Sequence, residues 1–359
     1  MAAIWLLLNI SLVALSFTPQ TIAENASDNA WKYAEEKHFL RLALRDITAT
    51  LKPRYYLSVN ATITKKCGSK RNEPYGIAVI EAKGEKCTCK TKEKCNCSSR
   101  IPKVNSTIQC QYATRINSEN TKGQNFLGLM CYEKRSELPK EIIDPHGMCK
   151  KWRYPGLKYP RLQIPDYLKS VDARLLVYNP PLVENRKISY RYTDGWPKNQ
   201  KERTGFGGYG GLNNLGPNPV LYLIVTSGPV DDSEIILIGK GENATLQKHI
   251  PEDSHLDYYF IGERVKALGK EIGGCPNSEL QNIIKNLKEI HHGYVKDPLN
   301  TDNAWMEGLI VHLHDQAGHC FSSKSSQATK TNSGYTWVSM KARNETVDSY
   351  VSPLIANYK

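Results

Sequence analysis

The stretch His292-Gly-Tyr-Val-Lys-Asp-Pro-Leu-Asn-Thr-Asp-Asn-Ala-Trp-Met-Glu307 sets a compact group of polar and aromatic residues directly ahead of an apolar run. Asn300, Thr301, Asp302 and Asn303 are short and polar, suited to a turn or to hydrogen bonds with a sugar hydroxyl. Trp305 can stack on a base or fill a core. Alternation from Met306 to His314 predicts a strand. Upstream, Leu280, Ile283, Ile284, Leu287 and Ile290 recur on one face and predict a helix over Ser278–Ile290. A second helix is predicted over Phe260–Ile272, with strands at Val220–Thr226, Glu234–Ile238 and Tyr335–Met340.

Two further segments belong with this one. The first is Tyr159-Pro-Arg-Leu-Gln-Ile-Pro-Asp166. The other runs from Asp194-Gly-Trp-Pro-Lys-Asn-Gln through Arg203-Thr-Gly-Phe-Gly-Gly-Tyr-Gly-Gly to Asn218. It places six glycines between Gly205 and Gly216, which disfavours a packed helix or strand. Such a loop lets backbone N–H groups approach a ligand, as phosphate-binding nests do. Arg203 adds a cation whose forked donors suit a phosphate.

In order and spacing the three segments resemble the ADP-ribose pyrophosphatase branch of the Nudix family, over about residues 155–340. That branch includes the mitochondrial-type enzyme and the ADP-ribose-sensing domain of melastatin-type channels. The resemblance implies an α/β/α sandwich with a mixed sheet. It also implies ligand contacts from Arg203, Thr204, Gly205, Gly208, Gly210, Asn218, Asp302, Asn303 and Trp305.

Nudix hydrolysis needs Mg²⁺ held by glutamates on one helix face, in the pattern R-E-U-x-E-E with U aliphatic. The best register lays Lys266-Ala267-Leu268-Gly269-Lys270-Glu271 on that pattern. Ala267 and Lys270 stand where two metal-site glutamates would be, and only Glu271 remains. Glu252 and Asp253 replace the glycines of the preceding turn, Tyr258 replaces its Glu, and Trp196 replaces an Arg. Glu271 and Glu307 are the remaining candidates for a metal, with Glu271 the candidate catalytic carboxylate.

Residues 24–150 differ in composition. Cys67, Cys87, Cys89, Cys95, Cys97, Cys110, Cys131 and Cys149 crowd this part, whereas only Cys275 and Cys320 follow it. A dense cluster of even number reads as a disulfide framework of undetermined pairing. A helix over Trp31–Leu51 and strands at Tyr55–Thr64, Tyr75–Ala82, Thr107–Ala113 and Phe126–Tyr132 predict an α+β unit. The chain is expected to divide as a signal peptide at 1–23, a cysteine-rich domain at 24–150 and the Nudix-like domain at 151–359. The apolar run Trp5–Phe17 is the length of a signal core and too short to span a bilayer. Sequons at Asn25, Asn60, Asn96, Asn105, Asn243 and Asn344 agree with export and glycosylation.

The 359 residues, 40% of them hydrophobic and 23% charged, exclude a collagen, a coiled coil or a disordered chain. Lys and Arg outnumber Asp and Glu by 48 to 36, a net +12 that favours anionic ligands without choosing among them. The expected function is recognition of ADP-ribose or a related nucleoside diphosphate by an extracellular protein, with hydrolysis weak or lost. One alternative is an active Mg²⁺-dependent diphosphatase giving AMP and ribose 5-phosphate. Another is an extracellular interaction module without nucleotide binding. No cofactor is expected outright, with Mg²⁺ required if hydrolysis is retained. Neither nucleic acid nor a membrane anchor is expected, and residues 24–150 are the expected contact for an extracellular protein partner.

Overall fold

The computed structural model describes residues 39–51, 55–67, 75–87, 103–115, 125–134, 151–183, 195–241, 244–251, 256–272, 275–324 and 334–355. The expected signal segment, the start of the first helix, Cys89, Cys95, Cys97, Cys149, Asn25, Asn96, Asn243, Glu252 and Asp253 lie outside these residues. The chain divides into two compact units: Met1–Trp152 with Arg174–Pro180, and Arg153–Ala173 with Pro181–Lys359. No helix among the described residues is long and apolar enough to cross a membrane.

In the first unit a helix over residues 39–51, α1, packs on an antiparallel meander. Its strands are β1 (Tyr55–Cys67), β2 (Tyr75–Cys87), β3 (Lys103–Arg115), β4 (Asn125–Glu133) and β5 (Val177–Asn179). Phe39, Ala43, Ile47 and Leu51 recur every four residues, so one helix stripe is buried against Ala78, Ile80, Ile108, Cys110, Tyr112, Leu129 and Cys131. The Tyr112 hydroxyl donates to Asp46 Oδ2 at 2.8 Å, pinning helix to sheet. Cys110 and Cys131 face each other across β3 and β4 and form a disulfide. Cys67 is also disulfide-bonded. Strand β5 comes from a stretch assigned no element by sequence; it is too short to show a period.

The second unit opens with the one-turn helix α2 (Asp166–Lys169) and a short parallel pair, β6 (Leu182–Val183) with β7 (Gly207–Gly208). Its main sheet is built on β8 (Gly216–Ser227) and β12 (Ala304–Asp315), paired in parallel along their whole length. Around them lie β9 (Glu234–Ile238), β10 (Gln247–His249), β11 (Lys288–Tyr294) and β13 (Tyr335–Ser339), all antiparallel to their neighbours. The order is β11-β12-β8-β9-β13, with β10 beside β8.

The period of two sorts the central strands onto two faces. Leu221, Leu223 and Val225 of β8, with Leu309, Val311 and Leu313 of β12, meet α3 (Tyr258–Ile272) and α4 (Asn277–Lys285). Val220, Tyr222 and Ile224, with Met306 and Ile310, face a second layer that includes α5 (Met340–Arg343) and α6 (Val347–Val351). The unit is thus a helix–sheet–helix sandwich with a mixed sheet.

One expected element changes. The helix predicted over Ser278–Ile290 stops at Lys285, and residues from Lys288 become β11. Ile283, Ile284 and Leu287 still pack with the α3 side, but Ile290 goes to the opposite face. The backbone N–H of Asn286 turns back to the carbonyls of Ile283 and Ile284. The edge of β12 then gains a partner for its backbone groups, which local helical periodicity cannot foresee.

Candidate functional site

The three distant segments come together in one hydrogen-bonded knot at the start of β8 and β12. Arg161 supplies its fork: Nε donates to the Thr204 carbonyl at 2.7 Å, Nη1 to Pro298 at 2.5 Å and Nη2 to Asn300 at 3.1 Å. One rigid guanidinium thereby joins the glycine-rich loop to the polar turn. The Tyr154 hydroxyl donates to the Leu299 carbonyl and accepts the Gly211 N–H, while its ring stacks on Phe206 at 4.4 Å between centroids.

The polar turn grips the glycine-rich loop directly. Asp302 Oδ1 accepts from the Thr204 N–H and hydroxyl. Asn303 Oδ1 accepts the Gly208 N–H at 2.8 Å, and its amide donates to the Pro197 carbonyl at 2.9 Å. The Thr301 hydroxyl donates to the Gly208 carbonyl. Glycine is required where the strands of this knot touch. Gly205 has φ +80°, and a Cβ there would lie 2.0 Å from the Leu162 carbonyl oxygen. Gly210 has φ +58°, and a Cβ would meet the Tyr154 hydroxyl at 2.4 Å.

Behind this layer, the Tyr294 hydroxyl donates to Glu202 Oε1 at 2.8 Å and accepts from the Asn300 amide at 3.1 Å. Burial first, then the Glu202 charge, push the Tyr294 phenol well above its usual range. Asn218 braces the turn that leads into β8, its amide donating to the carbonyls of Asn214 and Gly216.

Among the expected ligand residues, Thr204, Gly205, Gly208, Gly210, Asp302 and Asn303 are gathered into this knot. Arg203 has a different task. Its guanidinium donates to the carbonyls of Leu168, Ser170, Ala173 and Val171, closing the chain that leaves α2. Four backbone acceptors hold those donors, so the geometry gives no support to the phosphate role expected of it. The residues that sequence reading left without a role are Tyr154, Arg161, Tyr294 and Asn199, whose Oδ1 accepts the Lys201 N–H at 3.0 Å. Their one sequence signal was membership of the three quoted segments or of the adjoining Trp-Arg-Tyr-Pro run.

Trp305 and Glu307 lie on the α3 face of β12, two residues before Leu309 enters the core. Trp305 is half-buried and its indole N–H donates to Glu307 Oε1 at 3.2 Å; Glu307 is exposed. Next to them the sheet face is formed by Pro217 and Pro219 of β8. This end of the face is uncovered: Pro217 and Glu307 are exposed, and Pro219 and Trp305 are half-buried.

The α3 face also carries His249 of β10. Burial, then the nearby Arg264 charge, lower its pKa, while Glu271 pulls the other way. Its Nε2 is buried without a partner, and so is Nε2 of Gln247 on the same strand. The Glu271 carboxylate accepts the Tyr335 hydroxyl.

The donor set on the described residues does not fit a Mg²⁺ site. Ala267 and Lys270 bring no oxygen, and Glu271 and Glu307 are hydrogen-bonded to different neighbours. No group of three or more His, Cys, Asp or Glu among the described residues can hold a metal. No reaction step is therefore drawn through a metal ion.

No family model matches the chain. Its homologues include Nudix hydrolases: putative nudix hydrolase 6 of Caenorhabditis elegans is 28% identical over 46% of this chain and 78% of the relative. The mitochondrial ADP-ribose pyrophosphatase of Rattus norvegicus is 30% identical over 42% of this chain and 49% of the enzyme. A transient receptor potential cation channel, subfamily M member-like 2, of Nematostella vectensis is 30% identical over 47% of this chain, which spans only 12% of the channel.

Proposed function

We propose that the second unit recognises ADP-ribose or a related nucleoside diphosphate and hydrolyses it weakly or not at all. The observation that carries this reading is the knot itself. Three sequence segments, far apart in the chain and resembling one nucleotide-handling family, are braced together by Arg161, Asp302 and Asn303 beside an open sheet face. The name of the rat pyrophosphatase supports ADP-ribose as the ligand class. Trp305, at the rim of that face, is the group that can stack on a base.

The weak-hydrolysis part rests on α3. Cleavage needs a water to attack phosphorus while the P–O bond to the leaving phosphate breaks, giving AMP and ribose 5-phosphate. Catalysis requires groups that stabilise the charge developing in that step more than the ground state. Ala267 offers none, and Lys270 repels the divalent ion that would otherwise supply it.

The test is incubation of the purified chain with ADP-ribose and Mg²⁺, following both binding heat and AMP release. Binding without appreciable AMP is expected. Turnover on the order of 1 s⁻¹ or faster, as ordinary enzymes show, would establish a working diphosphatase instead. Absence of binding would favour the interaction module.

We also propose that the protein is exported. The dense cysteines and sequons support it, as do the disulfides Cys110–Cys131 and Cys275–Cys320, since such bonds persist in oxidising compartments. Asn344 is exposed at the end of α5, in a sequon with Thr346. Recovery from the medium of expressing cells, with a mass drop on enzymatic deglycosylation, is the expected result.

A further inference from the structure

The mismatch between α3 and a divalent metal has a consequence for how a pyrophosphate would be held, which rests on the function proposed above. Arg264, Ala267 and Glu271 are three and four residues apart and share one flank of α3, with Lys270 adjoining it. His249 lies opposite that flank, within electrostatic reach of both Arg264 and Glu271. A metal-dependent relative would need carboxylates at 267, 270 and 271. This chain has a methyl group, an ammonium and one carboxylate, with a guanidinium one turn earlier.

The cations are available. Arg264 and Lys270 are exposed, and neither is ion-paired among the described residues. Arg264 is held in place by lying over the Phe260 ring, 4.9 Å from guanidinium carbon to centroid. Lys266, by contrast, is neutralised by Glu263 at 2.8 Å. The carboxylate is tied down, because Glu271 accepts the hydroxyl of Tyr335. Among the described residues the flank therefore presents two cations outside any ion pair beside one hydrogen-bonded carboxylate, with Glu263 within electrostatic reach of Lys270.

We propose that Arg264 and Lys270 take the place of the divalent ion, so that this site binds the pyrophosphate of a nucleoside diphosphate directly and without Mg²⁺. A guanidinium can hold two phosphate oxygens with parallel donors, and an ammonium neutralises a third as a point charge. Both contacts are made to the ground-state ligand as much as to any later state, so they give affinity without acceleration. Mg²⁺ added to the solution competes for the same phosphate oxygens and does not strengthen the complex.

The experiment measures ADP-ribose binding to the intact chain by calorimetry, once in EDTA and once in excess Mg²⁺. The two dissociation constants should agree within about threefold, or favour EDTA. Lys270→Ala and Arg264→Ala should each weaken binding in EDTA by about tenfold. Lys270→Ala should leave the melting temperature in place, because the ammonium is exposed and has no ion pair among the described residues. The double variant Ala267→Glu, Lys270→Glu should bind in Mg²⁺ and lose binding in EDTA. Binding by the natural chain only in Mg²⁺ overturns the inference and leaves the proposed function standing. So does EDTA binding that neither single substitution weakens. Absence of binding under both conditions overturns the proposed function itself, and the inference with it.

Discussion

A single oxygen of Asp302 fastens the polar turn to the glycine-rich loop: Oδ1 accepts the Thr204 N–H at 2.6 Å and the Thr204 hydroxyl at 2.8 Å. The two residues are 98 positions apart in sequence, and Thr204 is buried. Asp302→Ala leaves a buried N–H without its acceptor, at a cost of roughly 1–3 kcal/mol. The melting temperature of the second unit should fall by several degrees and ADP-ribose affinity should drop. Asp302→Asn, which keeps one carbonyl oxygen, should fall less. Unchanged melting in Asp302→Ala would show that the other contacts, from Arg161, Asn303, Thr301 and Tyr154, suffice to hold the loop.

Arg203 is expected to act through stability. Its guanidinium bonds to four backbone carbonyls after α2, so Arg203→Ala should destabilise by roughly 2 kcal/mol or more. Arg203→Lys should recover little, because an ammonium cannot span acceptors spread along the chain as a planar fork does. Thermal melts of the two variants decide it. Wild-type melting together with a large loss of ADP-ribose affinity would restore the phosphate role.

The bridge between Cys275 and Cys320 closes a loop across 45 residues, joining the approach to α4 with the turn after β12. Asp315 Oδ2 accepts the N–H groups of Cys320 and Phe321, so the turn has a brace besides the disulfide. Replacing both cysteines with Ser should cost about 3–4 kcal/mol by loop entropy. Peptide mapping without reductant should recover the two cysteines joined. A free thiol at either position would remove this bond from the native state.

A pH dependence follows from two histidines that share one hydroxyl. His312 Nε2 and His314 Nδ1 lie 2.7 and 2.9 Å from Thr226 Oγ1. Burial foremost, then the charges of His314 and Lys288, lower the His312 pKa to about 4. An unfolded His titrates near ~6.5. Between these values the unfolded chain binds the extra proton, so stability falls as pH drops from about 6.5 to about 4 and levels off below. His312→Gln should flatten that part of a melting-temperature profile. An equal slope in wild type and variant would assign it to other groups.

The sequence by itself determined what local pattern can determine. Period-two alternation marked β12, and strands were also expected at β8, β9 and β13 and a helix at α3; burial on one face imposes such spacings whatever the partner is, as the stripe Ile261, Val265, Leu268, Ile272 of α3 shows in the fold. The glycines at 205 and 210 were visible as a loop for the same reason: a residue without a side chain is legible wherever it stands. Only tertiary structure decided the rest. Ile290 fits a helix stripe and lies in a strand, since the unpaired edge of β12 outweighs the local preference. Arg203 and Arg161 carry the same guanidinium, and nothing local says that one caps α2 while the other joins two loops. Their partners are backbone carbonyls up to 139 residues away, positioned by the fold and not by any nearby side chain. Hydrogen bonds to backbone leave no mark on the identity of the accepting residue, so the bracing by Arg161 and Arg203 had no sequence signature beyond the donors themselves.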